Sequence, residues 1–138
     1  MLEPVTIIMP TWNNPDFLFP AIQSIYACKA DFPIKLLIVN NGHPGITASI
    51  PDVPEIEVIQ APENLGWEGG LQLGLKHTST EFVMFINDDI FIPQSSNNWV
   101  SRMMTFFRDP RLGAIGPTRH VVMGAQQIWQ PLPAPLYE

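Results

Sequence analysis

This chain has one cysteine, few charges and no long apolar run, and each scarcity removes a class of function. With only Cys28 among 138 residues, neither an intrachain disulfide nor a cysteine-based zinc site can form, and a buried thiol in a reducing compartment is expected. Charged residues make up 14% of the chain, and 7 Lys and Arg against 13 Asp and Glu give a net charge of −6. A nucleic-acid polymer is held by clustered cations on its phosphates, so this composition argues against such a partner. No segment approaches the roughly 20 apolar residues of a membrane span. The opening Met1-Leu2-Glu3-Pro4 lacks a basic region leading into an apolar stretch, so a cytoplasmic location is expected. No Gly-Lys-Ser or Gly-Lys-Thr occurs, which excludes a P-loop, and no G-x-G-x-x-G follows the first apolar run, which disfavours a dinucleotide-binding oxidoreductase.

Hydrophobic residues make up 46% of the sequence, enough to bury a core in one domain. That domain is expected over residues 1–129. Residues 130–138 carry three prolines between Pro131 and Pro135 and are expected to be an extended terminus. Apolar runs at Val5 to Met9, Ile34 to Val39, Ile56 to Gln60 and Phe82 to Ile86 alternate with longer patterned segments. This is the rhythm of an α/β fold with a mostly parallel sheet flanked by helices.

Three helices are expected. The first opens near Asn14-Pro15 and carries Phe17, Leu18, Ala21, Ile22 and Ile25 on one face, with Pro20 delaying its regular part to about Phe19. The second runs from about Gly69 to His77, and the third from Ser96 or Asn97 to Arg108 with Trp99, Met103, Phe106 and Phe107 on its apolar side. Residues 40–54, rich in turn formers, suit a loop or a short irregular helix, and two further strands are expected at Leu112 to Ile115 and Val121 to Met123.

In open α/β sheets ligands bind beyond the carboxyl ends of the strands, so the residues after each apolar run are the site candidates. They are Pro10-Thr11-Trp12-Asn13, Asn40-Asn41-Gly42, the segment Asn64-Leu65-Gly66-Trp67-Glu68-Gly69-Gly70, and Asn87-Asp88-Asp89. Most of these also suit structural work. Thr11 and Asn13 fit turns and caps, Asn40-Asn41-Gly42 fits a turn, and the glycines fit close helix packing. The acidic pair is more specific, because a helix cap needs one carboxylate, not two. Adjacent carboxylates repel, and they are hard oxygen ligands, so a divalent cation such as Mn²⁺ or Mg²⁺ explains Asp88 and Asp89 best.

The order and spacing of these pieces resemble a known family. Val5-Thr-Ile-Ile-Met-Pro-Thr-Trp-Asn13, Leu36-Leu-Ile-Val-Asn-Asn-Gly42, Asn64-Leu-Gly-Trp-Glu-Gly-Gly-Leu-Gln-Leu-Gly-Leu75 and Phe85-Ile-Asn-Asp-Asp-Ile90 are similar to the family 2 glycosyltransferases of the GT-A fold, in particular to rhamnosyltransferase-like members. The resemblance covers about residues 4–119. It implies the Rossmann-like GT-A sheet in truncated form and a nucleoside-diphosphate-sugar donor. It also implies a saccharide or other hydroxyl acceptor, and transfer with inversion.

By the same resemblance Asp89 holds the metal, with Asp88 toward the ribose or sharing the metal. Pro10, Thr11, Trp12, Asn13, Asn40 and Asn41 shape the nucleoside pocket, while Asn64, Gly66 and Gly70 lie beside the nucleotide. Asn87 sets the acidic loop. Relatives usually carry Asp where this chain has Asn40, and often Asn where it has Gln72. No residue of the chain stands out as the general base that an inverting transferase uses on its acceptor. An alternative function is therefore a non-catalytic nucleotide-sugar-binding or scaffold domain lacking that base. If a longer chain normally covers the sheet edge, self-association of this one is expected.

Overall fold

The computed structural model describes residues 4–28, 32–96 and 98–117. The chain divides into two compact units, Met1–Thr105 and Phe106–Glu138. The elements run β1 (Val5–Thr11), α1 (Pro15–Ala27), β2 (Ile34–Asn40), a 3-10 turn (Pro44–Ile46), β3 (Ile56–Gln60), α2 (Gly66–Lys76), β4 (Phe82–Phe85) and α3 (Trp99–Phe106). The four strands form one sheet in the order β3-β2-β1-β4, and every pairing is parallel. The chain therefore winds outward from β1 to β3, then crosses back through α2 to lay β4 on the other side of β1. The expected α/β architecture is borne out.

Side chains of each strand alternate between two apolar layers. Ile7, Met9, Leu36 and Ile38 pack with Leu18, Ala21, Ile22 and Ile25 of α1, while Ile8, Leu37 and Val39 pack on the opposite face with Leu71 and Leu73 of α2. Burial on both faces is why β1 and β2 read as unbroken apolar runs. The third strand falls where expected, and β1 and β2 extend one or two residues further, to Thr11 and Asn40.

Several expectations need correction. Helix α1 starts at Pro15, not near Phe19, and Pro20 sits inside it. The missing proline N–H would have bonded the Asp16 carbonyl; Asp16 and Pro20 are both exposed, so water can take that carbonyl and the helix continues. Phe17, rotated about 100° from the Leu18, Ala21, Ile22 and Ile25 stripe, is exposed, whereas Ser24, seven residues on and on that same side of the helix, is buried. The Ser24 hydroxyl donates to the Ala21 carbonyl at 2.8 Å and accepts from the Ile92 N–H at 3.1 Å, which ties the segment after β4 to α1.

Helix α2 begins at Gly66, three residues before expected, since tertiary packing outweighs the low helix propensity of its glycines. Gly74 lies so close to the sheet that a Cβ there would collide with Ile8 Cγ2. Helix α3 is shorter than expected, and its one fully buried residue is Val100, absent from the expected apolar side. Residues 112–115 form no strand. The run at Val121 to Met123 and the proline-rich terminus lie outside the described residues.

Strand β4 ends at Phe85, one residue before the apolar run does; it is only partly buried, and Phe85 is 46% exposed. It lies at the edge of the described sheet, on the face whose helix, α2, packs over β1 and β2. Cys28 is buried as expected; its Sγ donates to the Ser96 carbonyl at 3.0 Å. Among the described residues no helix is long and apolar enough to cross a membrane.

Two predictions follow from the packing. Gly74→Ala pushes a methyl into the fully buried Ile8 and is expected to cost about 1 to 3 kcal/mol in urea denaturation, whereas Gly113→Ala, whose Cβ would meet nothing within 4 Å, should cost far less. The second concerns Tyr26, whose hydroxyl donates to the Glu55 carbonyl at 3.2 Å. Burial, and then the charge of Glu55, pushes its pKa from 10.0 up to about 12. The folded state thus favours the neutral phenol, and this stabilisation is full below pH 10.0 and fades as pH rises toward about 12. Alkaline denaturation should show a smaller loss of stability across that window in Tyr26→Phe than in the parent.

Candidate functional site

The chain turns back at β1, so a crevice opens at the carboxyl ends of the strands between β1 and its neighbours. There a cleft of about 590 Å³ is lined by Pro10, Thr11, Trp12, Asn13 and Asn14 after β1, Asn41 after β2, Asn64, Gly66 and Trp67 after β3, and Asn87, Asp88 and Asp89 after β4. All four segments singled out in the sequence converge on it. A smaller pocket lies at the opposite, amino ends of the strands, lined by residues such as Lys35, Glu57 and Thr80, away from the acidic pair.

The acidic pair is built into the sheet. The Ile86 N–H donates to the Ile8 carbonyl at 3.1 Å, carrying the β1–β4 ladder one residue past β4 and fixing where the turn at Asn87 starts. Thr11, buried as the last residue of β1, donates its hydroxyl to Asp88 Oδ2 at 2.7 Å. Asn14 precedes α1, where an asparagine side chain ordinarily accepts from the first-turn N–H groups. Here it makes no capping bond, and its Nδ2 instead donates to Asp88 Oδ1 at 3.4 Å. Asp88 is thus oriented by two neutral donors that leave its charge in place. By contrast Asp89 is exposed, and no described residue donates to its carboxylate. No cluster of three or more His, Cys, Asp or Glu side chains suited to a metal occurs among the described residues. A divalent ion here would therefore draw its remaining ligands from a phosphate-bearing ligand and water; two hard carboxylate oxygens at the mouth of a polar cleft fit that arrangement.

The two asparagines at the end of β2 do different things. Asn40 is fully buried. Its Nδ2 donates to the His43 carbonyl at 3.1 Å, Thr47 Oγ1 at 3.4 Å and Gln60 Oε1 at 2.9 Å, and its Oδ1 accepts the Gly42 N–H at 2.9 Å. This side chain is consumed in holding the 42–47 turn to β2 and β3, and it does not line the cleft. A physical reason for Asn over Asp follows: a carboxylate would aim oxygens at three acceptors and donate to none.

Asn41 does line the cleft. Its N–H donates to the Thr11 carbonyl at 2.8 Å and its Nδ2 to the Gly66 carbonyl at 3.0 Å. The Asn41 Oδ1 is buried without a partner among the described residues, in a side chain whose Nδ2 already donates to Gly66.

The remaining expected residues sort as follows. Trp12 is 60% exposed on the cleft wall. Asn13, at φ +50°, adopts the left-handed region that asparagine tolerates, and its Oδ1 accepts the His43 N–H at 2.8 Å. Asn64 Oδ1 accepts the Gly66 N–H at 2.9 Å, and Gly66 takes φ +68° with nothing near its missing side chain, so backbone conformation alone calls for glycine there. Gly70 is buried against Asn41 and Pro10 and does not line the cleft.

Asn14 is a lining residue outside the expected segments, and Trp67 lies within one of them without having been given a role of its own. Asn14 was visible as a helix start, and its third place in a polar run after β1 was the overlooked signal. Trp67, 45% exposed, was hidden in a segment valued for its glycines.

A doubly wound parallel sheet, with a carboxylate pair after its fourth strand and a cleft across the turning point, defines the GT-A class of fold. The profile of the family described as "Glycosyl transferase family 2" matches residues 6–137, and the chain belongs to that family. It is similar to poly-beta-1,6-N-acetyl-D-glucosamine synthase of Staphylococcus aureus (strain MSSA476), with 25% identity over 118 residues, which is 83% of this chain and 28% of that protein. Among solved structures, it is similar to the mannosyltransferase PcManGT from Pyrobaculum calidifontis in complex with GDP-Man and Mn²⁺ (TM-score 0.68, 21% identity, 82% of this chain and 34% of that one). Another is S. aureus TarS 1-349 in complex with UDP (TM-score 0.57, 21% identity, 77% of this chain and 32% of that one). The chain thus spans about a quarter to a third of the length of these proteins.

The asparagine network generates its own test. Asn40→Asp is expected to destabilise the chain by about 2 kcal/mol or more in chemical denaturation, because it replaces buried donors with a charge facing carbonyl oxygens. Asn41→Asp, at the cleft wall, should cost less.

Proposed function

We propose that this chain is the donor-binding part of an inverting, divalent-metal-assisted glycosyltransferase. The enzyme would move a sugar from a nucleoside diphosphate to an acceptor hydroxyl. The observation that carries this reading is the Thr11–Asp88 hydrogen bond of 2.7 Å, which joins the nucleoside-side loop to the acidic pair and leaves Asp89 open in the same cleft.

In this reading Asp89 holds Mn²⁺ or Mg²⁺ and Asp88, already oriented by Thr11 and Asn14, takes the ribose hydroxyls or shares the ion. When bound, such a cation offsets the charge that develops on the leaving nucleoside diphosphate. Asn41 Oδ1 accepts an N–H from the edge of the base, which supplies the partner this buried oxygen lacks. Trp12 offers a flat apolar face for the same base, and Asn64 and Asn87 supply further polar groups along the cleft. Asn40 has a supporting role, since its amide is spent inside the protein.

The reaction is a displacement at the anomeric carbon by the acceptor oxygen, with loss of the acceptor proton to a general base. Among the described lining residues, Asp88 and Asp89 are the only carboxylates. That observation favours a second reading, a donor-binding domain without turnover of its own. Transfer or hydrolysis of a bound nucleotide sugar would separate the two.

Calorimetric titration of UDP, GDP and dTDP with and without Mn²⁺ tests the donor site directly. At least one nucleotide is expected to bind with affinity enhanced by the metal, and Asp89→Ala should weaken the metal-dependent component by more than about tenfold. Failure of every nucleotide to bind, with the metal present, would overturn the reading.

A further inference from the structure

Trp67 is not accounted for by the roles above. It occupies the first turn of α2, lines the cleft and is 45% exposed. An indole left half in water at the start of a helix contributes little to the core, and the flat surface it keeps free is large. Its mounting is more elaborate than a surface aromatic requires. Asn64 Oδ1 and the Asn41 amide grip both sides of Gly66, its N–H at 2.9 Å and its carbonyl at 3.0 Å. Gly66, at φ +68°, turns the chain into the helix one residue before the indole.

The position of Trp67 relative to Asn41 is the informative part. Asn41 donates to two backbone carbonyls, those of Thr11 and Gly66, and each belongs to the residue just before a tryptophan. Asn41 is therefore flanked through hydrogen bonds by Trp12 on one side and Trp67 on the other. Its Oδ1 is buried without a partner among the described residues, in a residue only 6% exposed. Two half-exposed indoles on the wall of one polar cleft match one chemical shape, a planar heterocycle.

We infer that Trp67 is the second wall of the base slot, so that the base of the donor nucleotide is sandwiched between Trp12 and Trp67 with Asn41 reading its edge. This rests on the donor-site reading above and assigns to Trp67 a share of nucleotide affinity that the acidic pair does not supply. The unpartnered Asn41 Oδ1 also favours bases that present an N–H at that edge. The metal-side contacts to the diphosphate are independent of Trp67.

The test compares the parent with Trp67→Leu and Trp67→Phe. Both keep an apolar side chain on the helix, and only phenylalanine keeps a ring. Each is titrated with UDP, GDP and inorganic pyrophosphate in the presence of Mn²⁺, after circular dichroism has verified the fold. Loss of one stacking face is expected to weaken nucleoside diphosphate binding in Trp67→Leu by about 10- to 100-fold. Phenylalanine should recover most of it, and pyrophosphate affinity should stay within about twofold in all three proteins. Nucleotide affinity unchanged in Trp67→Leu, or an equal fall for pyrophosphate, would overturn the second wall while leaving the donor site intact. Absence of nucleotide binding in the parent itself would overturn the donor-site reading and this inference together.

Discussion

The rim of the cleft depends on a pair of neighbouring amides whose hydrogen-bonding demands point to opposite sides of one strand. At the end of β2 the ladder stops, and the backbone groups of the following turn must find partners or lose several kcal/mol of stability. Asn40 meets that need inward, bridging the 42–47 turn and Gln60. Asn41 meets it outward, stitching the end of β1 to the start of α2. One residue of displacement along a strand reverses the face, so two chemically identical side chains become a structural clamp and an unpartnered acceptor. The positions of Trp12, Gly66 and Trp67 follow from the second.

The same economy governs charge. With few ionisable groups in the chain, no lysine or arginine is among the described residues that line the cleft, and their polar surface is mostly neutral amide. Thr11 and Asn14 orient Asp88 without cancelling its charge, as a guanidinium would. Asp88 and Asp89 therefore keep a local negative potential that suits a cation, and an anionic diphosphate would enter as the partner of that cation rather than of the protein directly.

How much of this was legible in the sequence follows from the range of the interactions. Strands buried on both faces advertise themselves as apolar runs, which is why Ile7 to Met9 and Leu36 to Val39 fell in the core, while the edge strand Ile56 to Gln60 matched although it is only partly buried. The four polar segments could be read because the parallel topology brings every carboxyl end to the same edge. The start of α2 was hidden, since the glycines at 66, 69 and 70 argue for a loop and no local pattern shows that Gly66 takes the positive φ that opens the helix. The division of labour between Asn40 and Asn41 depended on partners 20 and 25 residues away, Gln60 and Gly66, which no local pattern reveals. Phe17 was misassigned and Val100 overlooked because burial at the margin of a helical stripe depends on what packs there; Ser24, on the same side of α1 as Phe17, is covered by the segment at Ile92, and Phe17 is not.

Cys28 carries a consequence of a different kind. Its sulfur closes the end of α1 onto the segment before α3 through a bond to the Ser96 carbonyl, and it is the only thiol in the chain. A reagent reaches it only when that junction opens. Where closing outruns labelling, the rate of thiol modification measures the free energy of opening at one known place. The molecule thus contains its own reporter of local breathing, on the far side of the sheet from α2 and at no cost to the cleft's chemistry.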